Sequence, residues 1–445
     1  MQLSQKLSTI EKIGFGAGDM AVNISLMSIS MLLTYFYTDI FGLDPVDMGL
    51  LFLAVRIFDA FVDPVMGWIT DKVVTKYGRY RHWFGLGALP FGISIFLLFY
   101  TPDISYTWKL AFAWIAYIFN QVMFSMVTIP YISLIGVITN DPAERLSANG
   151  YRFVMAKSAA LLVITFVPLL AMYLAEESSQ VMGYAMAMGL MAILTTLSFW
   201  FCFFLTKERV AAQISDVPLK TQFRHIIKND QWVVLVTACV LMMTAFLLRG
   251  GIGFHYAKYY VQAEGTLFSI FMSMWSIGGI LATLVSTWLT RYFCKVKVFK
   301  YSMLLSALIG VAMYFCVQPG NVWTGIIFYF LFCFLSDLNT PIFWSSITEV
   351  VDYGEKKTGV RVTGLALGSV SFFQKFGMGI AGWLSGILLA FYDYQPGVEQ
   401  NARSLGGINI MMTLIPAALF FVVYLVMNKF IISNEYYNKM MANKA

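Results

Sequence analysis

Three charged side chains interrupt an otherwise apolar run between residues 48 and 70. Arg56, Asp59 and Asp63 are three and four residues apart, so on an α-helix all three lie on one face. Two carboxylates one turn apart repel each other when both are ionised, and a bound proton or metal cation relieves that repulsion. Pro64 follows directly and weakens the helical hydrogen bonding there. The spacing predicts a cation-coupling site; a purely structural ion pair with Arg56 is the alternative.

Other charged side chains lie inside apolar runs further along the chain, where each one is a candidate for function. Asp19 follows a run of alternating glycines, and we expect it either to accept hydrogen bonds from sugar hydroxyls or to pair with a basic residue. Lys375 requires an acidic partner, which Asp19, Asp59 or Asp63 could supply, unless its side chain snorkels to the membrane surface. Arg249 either lines a cavity or anchors its helix at the outer surface.

Aromatic side chains offer flat surfaces on which a sugar ring can stack. We consider three of them as such platforms, namely Trp344, Tyr131 and Tyr256. Because 17% of the residues are aromatic, helix packing is the more common role for any single one. The three histidines have no metal-ligand spacing, and no Ser/His/Asp or Cys/His set is present. The sequence therefore favours binding over catalysis, and no metal site is expected apart from Asp59 and Asp63 if sodium is the coupling ion.

The elements that must hold these residues are membrane helices. The chain has 445 residues, 59% hydrophobic and 12% charged, whereas soluble domains carry roughly 45–50% apolar and about 25% charged residues. A soluble protein is therefore excluded, and the apolar runs are too long for the roughly ten-residue strands of a membrane β-barrel. We expect twelve transmembrane helices, near residues 13-40, 48-70, 83-101, 108-138, 153-175, 181-205, 232-262, 266-290, 298-318, 322-348, 362-391 and 408-432.

The twelve predicted helices fall into two sets of six. We expect an N-terminal bundle over residues 1-206, a charged linker over 207-231 and a C-terminal bundle over 232-445. Lysines and arginines concentrate in alternate connections, so the positive-inside rule predicts that both termini are cytoplasmic. Two six-helix halves are typical of a transporter whose site lies between them near the membrane midplane. Channels and membrane-anchored enzymes fit this organisation less well.

Six segments, taken together, carry a resemblance to a known family: RIFDAFVDPVMGWITDK, KYGRYR, TIPYISL, GVITNDPAERLSANGYRF, EVVDYGEKKTGVRVTGL and SFFQKFGMGIAGW. They resemble the glycoside-pentoside-hexuronide:cation symporters, which include melibiose permease and belong to the major facilitator superfamily. The similarity extends from about residue 10 to 435, and within the family it is greatest to enterobacterial xyloside-type members. The resemblance implies an all-α membrane protein with twelve transmembrane helices in two six-helix bundles.

The same resemblance implies a function. A member of this family is a secondary active transporter, not an enzyme, and carries a sugar with a cation by alternating access across the bacterial cytoplasmic membrane. Its partners would be a small sugar and the lipid bilayer, with no nucleic acid. We expect it to act as a monomer, with no cofactor other than the coupling ion, H+ or Na+.

The family's motifs carry site roles over to matching positions. The resemblance implies sugar contacts at Asp19, Thr128, Ile132, Arg152, Ser371 and Lys375. It implies a cation-coupling site at Arg56, Asp59, Asp63 and Ser125. From their residue types and positions we add two candidate substrate contacts, Trp344 and Arg249.

Four positions depart from the melibiose permease pattern. Thr128 replaces an aspartate, Ile132 a tryptophan, Gly18 a lysine and Val62 an asparagine between the two carboxylates. Sodium requires several oxygen ligands, whereas a proton requires one suitable carboxylate, so the loss of the asparagine favours proton over sodium coupling. Two alternatives stay open: a transporter of a lipid-like or drug substrate, and a transporter-like receptor that binds sugar without moving it.

Overall fold

The structure, a computed structural model, describes residues 6–139, 141–175, 179–210, 225–358 and 363–442. Nearly all of these residues are helical. The chain separates into two compact units, Met1–Ile214 and Ser215–Ala445. The predicted boundaries of the two bundles and of the linker stay predictions, since most of the linker lies outside the described residues.

Six long helices make up the first unit: α1 (Thr9–Ile40), α2 (Pro45–Lys72), α3 (Arg81–Leu98), α4 (Tyr106–Ile138), α5 (Pro142–Leu161, continuing as Val167–Ala175) and α6 (Gln180–Leu205). Three of them begin at side-chain caps, in which Ser8, Asp44 and Ser179 accept backbone N–H bonds. Such caps satisfy N–H groups that the first helical turn leaves without partners. Two π-helical turns occur within α1 and one within α5.

Six long helices also make up the second unit: α7 (Asp230–Tyr260), α8 (Gly265–Tyr292), α9 (Lys295–Cys316), α10 (Val322–Asp337, continuing as Thr340–Thr358), α11 (Thr363–Phe391) and α12 (Ala402–Met412, continuing as Leu414–Met427). A shorter helix, α13 (Asn434–Ala442), follows them. Side-chain amides of Asn229, Asn321 and Asn401 cap α7, α10 and α12.

Eleven helices in the described ranges are long and apolar enough to cross a membrane. The remaining long helix, α2, spans 28 residues and carries Arg56, Asp59 and Asp63. Its length, about 42 Å at 1.5 Å per residue, suffices to cross the bilayer. With α2 the count is twelve, as predicted, and α2 differs from the other eleven because it carries the charged residues of the predicted cation site.

The helices pair in the same order within each unit. In the first unit α1 packs on α5 and α6, α3 packs on α4 and α6, and α2 packs on α4. In the second unit α7 packs on α11 and α12, α9 packs on α10 and α12, and α8 packs on α10. Because α7 to α12 repeat the pairing of α1 to α6, the units are structural repeats of the kind that many transporter folds contain.

Alternating glycines bring α1 close to its neighbours. A Cβ at Gly16 would lie 3.1 Å from the carbonyl oxygen of Tyr151 on α5, and a Cβ at Gly18 would overlap the ring of Tyr131 on α4. Helices approach this closely only where side chains are small. The close approach positions the next residue, Asp19, against α4 and α5.

The structure differs from the expected helix boundaries in two informative places. We expected the fifth span to start near residue 153, but α5 begins at Pro142. Its first turns are polar and carry Glu144, so hydropathy alone misses them. The tenth span is interrupted at Leu338 and Asn339, where the side-chain amide of Asn339 donates to the carbonyl oxygen of Ser336.

Candidate functional site

The two carboxylates of α2 meet a hydroxyl of α4. Ser125 Oγ lies 2.6 Å from Asp63 Oδ1 and 3.2 Å from Asp59 Oδ1. The guanidinium of Arg56 lies 3.7 Å from Asp59 Oδ2, and Asp59 is 0% exposed. The four residues of the predicted cation-coupling site are therefore adjacent to one another. Together Arg56, Asp59 and Asp63 carry a formal charge of −1 when both carboxylates are ionised.

Two further α4 residues lie on the face that carries Ser125, and the sequence prediction missed them. Tyr117 and Gln121 precede Ser125 by eight and four residues, which places all three on one helix face. Tyr117 is fully buried beside Arg56 and Asp59, and Gln121 is 1% exposed. The four-residue spacing of polar side chains along α4 was the signal that could have found them.

The second site of the first unit is an ion pair between α1 and α5. Arg152 Nε lies 3.0 Å from Asp19 Oδ1, and their side chains are 24% and 6% exposed. Tyr131 supports the pair from α4, since its hydroxyl donates to the carbonyl oxygen of Phe15 at 2.8 Å. Its ring stacks on Phe15, and the Arg152 guanidinium lies 5.8 Å from the ring centre.

A network at the start of α1 and α5 holds these two helices together. Lys12 Nζ lies 2.9 Å from Glu144 Oε2 and donates to Ser147 Oγ at 2.9 Å. The backbone N–H of Leu7 donates to the same carboxylate at 3.2 Å. The hydrogen bond from Lys12 holds the pKa of Glu144 below its ordinary value. This network fixes the relative position of the helices that carry Asp19 and Arg152.

Thr128 and Ile132 extend the α4 face on which Ser125 lies. They follow Ser125 by three and seven residues, about 5 and 10 Å along the helix axis. The Thr128 hydroxyl is buried and has no hydrogen-bond partner within the part of the chain that the structure describes, whereas Ile132 is exposed. One helix face thus joins the cation-coupling residues to two of the predicted sugar contacts.

In the second unit, three predicted contacts lie on α10 and α11. Ser371 and Lys375 are one turn apart on α11, with Ser371 exposed and Lys375 half-buried. Trp344 lies on α10 and is 46% exposed, with its ring against the edge of Phe343. An exposed indole can still stack on a sugar ring, so the platform role of Trp344 stays a prediction.

Two of the three expected aromatic platforms are wrong. Tyr131 and Tyr256 are both 0% exposed, because each ring is enclosed by other aromatic side chains. Tyr131 contacts Phe15, Phe84 and Phe199, and Tyr256 stacks on Tyr260 with ring centres 4.8 Å apart. Their apolar surface is used in helix packing, so no sugar ring can reach it.

Arg249 lies in the interior of the second unit. It is 0% exposed, and its Nη1 donates to Ser336 Oγ at 3.0 Å and to the carbonyl oxygen of Phe332 at 3.4 Å. These acceptors lie in the last two turns of the first segment of α10, near the negative end of the helix dipole, which a cation stabilises. Anchoring at the outer membrane surface is excluded by this burial, and a substrate role for Arg249 stays a prediction.

Among the described residues, no three His, Cys, Asp or Glu side chains are grouped so that they could hold a metal ion. Asp59 and Asp63 form a pair, and Ser125 supplies a third oxygen at hydrogen-bonding distance. The oxygens of these three residues accept hydrogen bonds and can hold a coupling cation.

A comparison with protein families matches residues 14–434 to the model described as "MFS/sugar transport protein". This chain belongs to that family. The match spans both units, so the fold is the twelve-helix major facilitator fold. The family consists of transporters, and the chain is accordingly a multi-pass membrane transporter and not an enzyme.

Curated relatives agree with this assignment. The chain is 34% identical to "Inner membrane symporter YicJ" of Escherichia coli (strain K12), over 93% of this chain and 90% of that protein. It is 32% identical to "Putative glycoside/cation symporter YagG" of the same organism, over 93% and 90%. It is 30% identical to "Isoprimeverose transporter" of Lactiplantibacillus pentosus, over 91% and 85%.

Solved structures share the fold at low sequence identity. The crystal structure of the nucleoside transporter NupG matches with a TM-score of 0.65 at 15% identity, covering 95% of this chain and all of that one. The E. coli fucose:proton symporter FucP matches with a TM-score of 0.58 at 14% identity, covering 94% and 97%. At such identities the likeness concerns the fold alone.

Proposed function

We propose that this protein imports a glycoside or pentoside together with a proton across the bacterial cytoplasmic membrane. It acts as a monomer with both termini in the cytoplasm, and it uses no cofactor apart from the coupling proton. Asp59, Asp63 and Ser125 carry the proton, with Arg56 beside them. Asp19, Arg152 and Thr128 contribute to the sugar site, and Ile132, Trp344, Ser371 and Lys375 are its further candidates.

The hydrogen bonding of Ser125 is the observation that carries the proton assignment. A serine hydroxyl has a single hydrogen to donate, yet its oxygen lies within hydrogen-bonding distance of both carboxylates. Both contacts are satisfied when Ser125 donates to Asp63, the nearer one, and accepts a proton held by Asp59. Ser125 therefore links the two carboxyl groups, so that a single coupling proton can be held between them.

The chemistry of the Asp19 and Arg152 pair supports a sugar as the substrate. The carboxylate accepts hydrogen bonds from hydroxyl groups and the guanidinium donates them, so the pair can bind adjacent hydroxyls of one ring. Arg152 is the more exposed partner, which gives a ligand access to it. The relatives named as a glycoside/cation symporter and an isoprimeverose transporter support the same substrate class.

The α4 helix supports a physical link between the two ligands. Ser125 and Thr128 are separated by less than one helical turn, so the hydroxyl that contacts Asp59 and Asp63 lies beside a candidate sugar contact on one helix face. Any such coupling is reciprocal, since a proton that tightens sugar binding requires that sugar tighten proton binding by the same factor. Simultaneous occupancy is what a symporter needs before it changes conformation.

The test is made in de-energised proteoliposomes that contain the purified protein. Pentosides, galactosides and glucuronides are added one at a time, with and without sodium, while the external pH is recorded. We expect a substrate sugar to make the external medium alkaline in the absence of sodium. Sugar uptake that requires sodium and is unaffected by a proton ionophore at zero membrane potential would overturn the proton assignment.

Amino-acid substitutions test which residues couple the proton to sugar transport. Asp59→Asn and Asp63→Asn should abolish uphill sugar accumulation while folded protein remains in the membrane. Ser125→Ala should reduce the sugar-induced alkalinisation, because it removes the hydroxyl between the two carboxylates. Ser133→Ala is the matched control, since the Ser133 hydroxyl lies on the same helix but donates only to the carbonyl oxygen of Ile129. Normal accumulation by both aspartate variants would refute the assignment.

A further inference from the structure

An apolar groove runs along the outer surface of the first unit, between α3 and α6. Its volume is about 370 Å³. Glycines on both helices and Ala192 form its floor, and half-exposed side chains on either side, among them Leu89, Ile93 and Ile193, form its walls. Among the described residues that line it, Thr196 is the only one with a side-chain oxygen, and its hydroxyl bonds to backbone carbonyl oxygens. The groove therefore offers contacts to hydrocarbon alone.

The groove is present because small residues on α3 and α6 leave space that larger side chains would fill. Gly92 allows close contact with α6, since a Cβ there would meet the carbonyl oxygen of Ala192 at 2.8 Å. A Cβ at Gly189 would meet only the edge of Phe96, at 3.5 Å. The residue at 189 could therefore be larger without disturbing the backbone, and its small size leaves a channel open.

An aromatic side chain lies at one end of the groove. Trp200 lines the groove, and its indole N–H donates to the carbonyl oxygen of Gly85 at 3.1 Å. Tryptophan is enriched where a membrane protein meets the headgroup region, and Trp200 lies five residues before the end of α6. This end of the groove is consequently close to a membrane surface, whereas the rest extends into the hydrocarbon.

The guanidinium of Arg81 lies beyond that end of the groove, on the same face of α3. Arg81, Gly85, Leu89, Gly92 and Phe96 are four, four, three and four residues apart, so they form one stripe along α3. The Arg81 Nη2 donates to the carbonyl oxygen of Phe203 on α6 at 2.5 Å. The Glu208 carboxylate lies close by, where it accepts the backbone N–H bonds of Arg79, Tyr80 and Arg81 at 2.7–2.9 Å. The exposed Lys207 follows the end of α6 and adds a second positive charge at this level.

We propose that the groove is a binding site for an anionic phospholipid of the leaflet in which α3 begins. One acyl chain occupies the channel between α3 and α6, and the phosphate lies beside Arg81. Both helices are candidate membrane spans, so bilayer lipid is the molecule that reaches this surface. The half-buried Arg81 guanidinium and the exposed Lys207 together outnumber the single carboxylate of Glu208, so this surface favours an anionic headgroup over a zwitterionic one. The site involves neither the cation-coupling residues nor the sugar contacts, so it stands independently of the proposed transport.

The test is native mass spectrometry of the delipidated full chain in detergent, titrated with phosphatidylglycerol and phosphatidylethanolamine. We expect one phosphatidylglycerol molecule to remain bound at low lipid excess. Gly189→Leu fills the channel and should weaken this binding at least about tenfold, because several methylene groups lose their protein contacts. Gly406→Leu is the matched control, since its Cβ would meet open space on α12, away from the groove.

Two further measurements distinguish the contribution of the acyl chain from that of the headgroup. Arg81→Gln should keep a bound lipid but lose the preference for phosphatidylglycerol over phosphatidylethanolamine. Free glycerol phosphate should not compete, because it has no acyl chain. Equal lipid binding by Gly189→Leu and Gly406→Leu would overturn the proposal, as would full competition by glycerol phosphate. If Gly189→Leu fails to fold, Ile93→Trp fills the same channel from α3 and decides the matter.

Discussion

Removal of one partner of the Asp19 and Arg152 pair should destabilise the first unit strongly. In Arg152→Met the Asp19 carboxylate, whose side chain is 6% exposed, loses its counter-charge within the helix packing. Loss of one partner of a buried ion pair costs about 3–5 kcal/mol. Because the Arg152 side chain is 24% exposed, we expect the lower end of that range. At roughly 2–4 °C per kcal/mol for a unit of this size, the thermal midpoint should fall by about 6–12 °C.

The double variant Asp19→Asn/Arg152→Met makes this prediction specific. It removes both charges, so it should recover at least half of the lost stability while sugar binding stays absent. Thermal unfolding in detergent, followed by circular dichroism, gives the midpoints, and equilibrium binding of a substrate sugar gives the second readout. The exposed pair Glu435 and Lys439 on α13 is the control, and Lys439→Met should leave the midpoint unchanged. Strictly additive losses in the double variant would refute the argument.

Three further outcomes follow from the site geometry. The hydrogen bond from Lys12 lowers the pKa of Glu144. The ionised Glu144 therefore contributes fully to stability above the ordinary glutamate pKa, and this contribution is lost as pH falls through the lowered value. Glu144→Gln should flatten the acid side of a plot of thermal midpoint against pH, and an unchanged plot would contradict this. Gly18→Ala should cost about 1–3 kcal/mol by overpacking against Tyr131, and Tyr131→Leu should relieve part of that loss in chemical denaturation. Arg249→Met should lower the thermal midpoint, because Ser336 and the carbonyl oxygen of Phe332 lose their donor; an unchanged dissociation constant of the sugar in this variant would refute the predicted substrate contact of Arg249.

Much of the fold could be predicted from local features of the sequence. The length of each apolar run is enough to specify a membrane helix, because the bilayer requires about 20 apolar residues whatever the neighbours are. The shared face of Arg56, Asp59 and Asp63 follows from helical periodicity alone. The early start of α5 and the interruption of α10 were missed, since polar helical turns and a break at Leu338 and Asn339 leave no clear mark in hydropathy.

The contacts between distant segments were decided only by tertiary structure. Ser125 meets Asp59 and Asp63 from more than 60 residues away, and Arg152 meets Asp19 across 133 positions. Amino-acid composition also could not distinguish Trp344, whose side chain is exposed, from Tyr131 and Tyr256, whose rings are enclosed by other rings. A residue's type and local spacing determine which helix face it occupies, but its partner depends on how closely neighbouring helices pack. That distance is set by small residues such as Gly16 and Gly18, whose effect appears only once the helices are together.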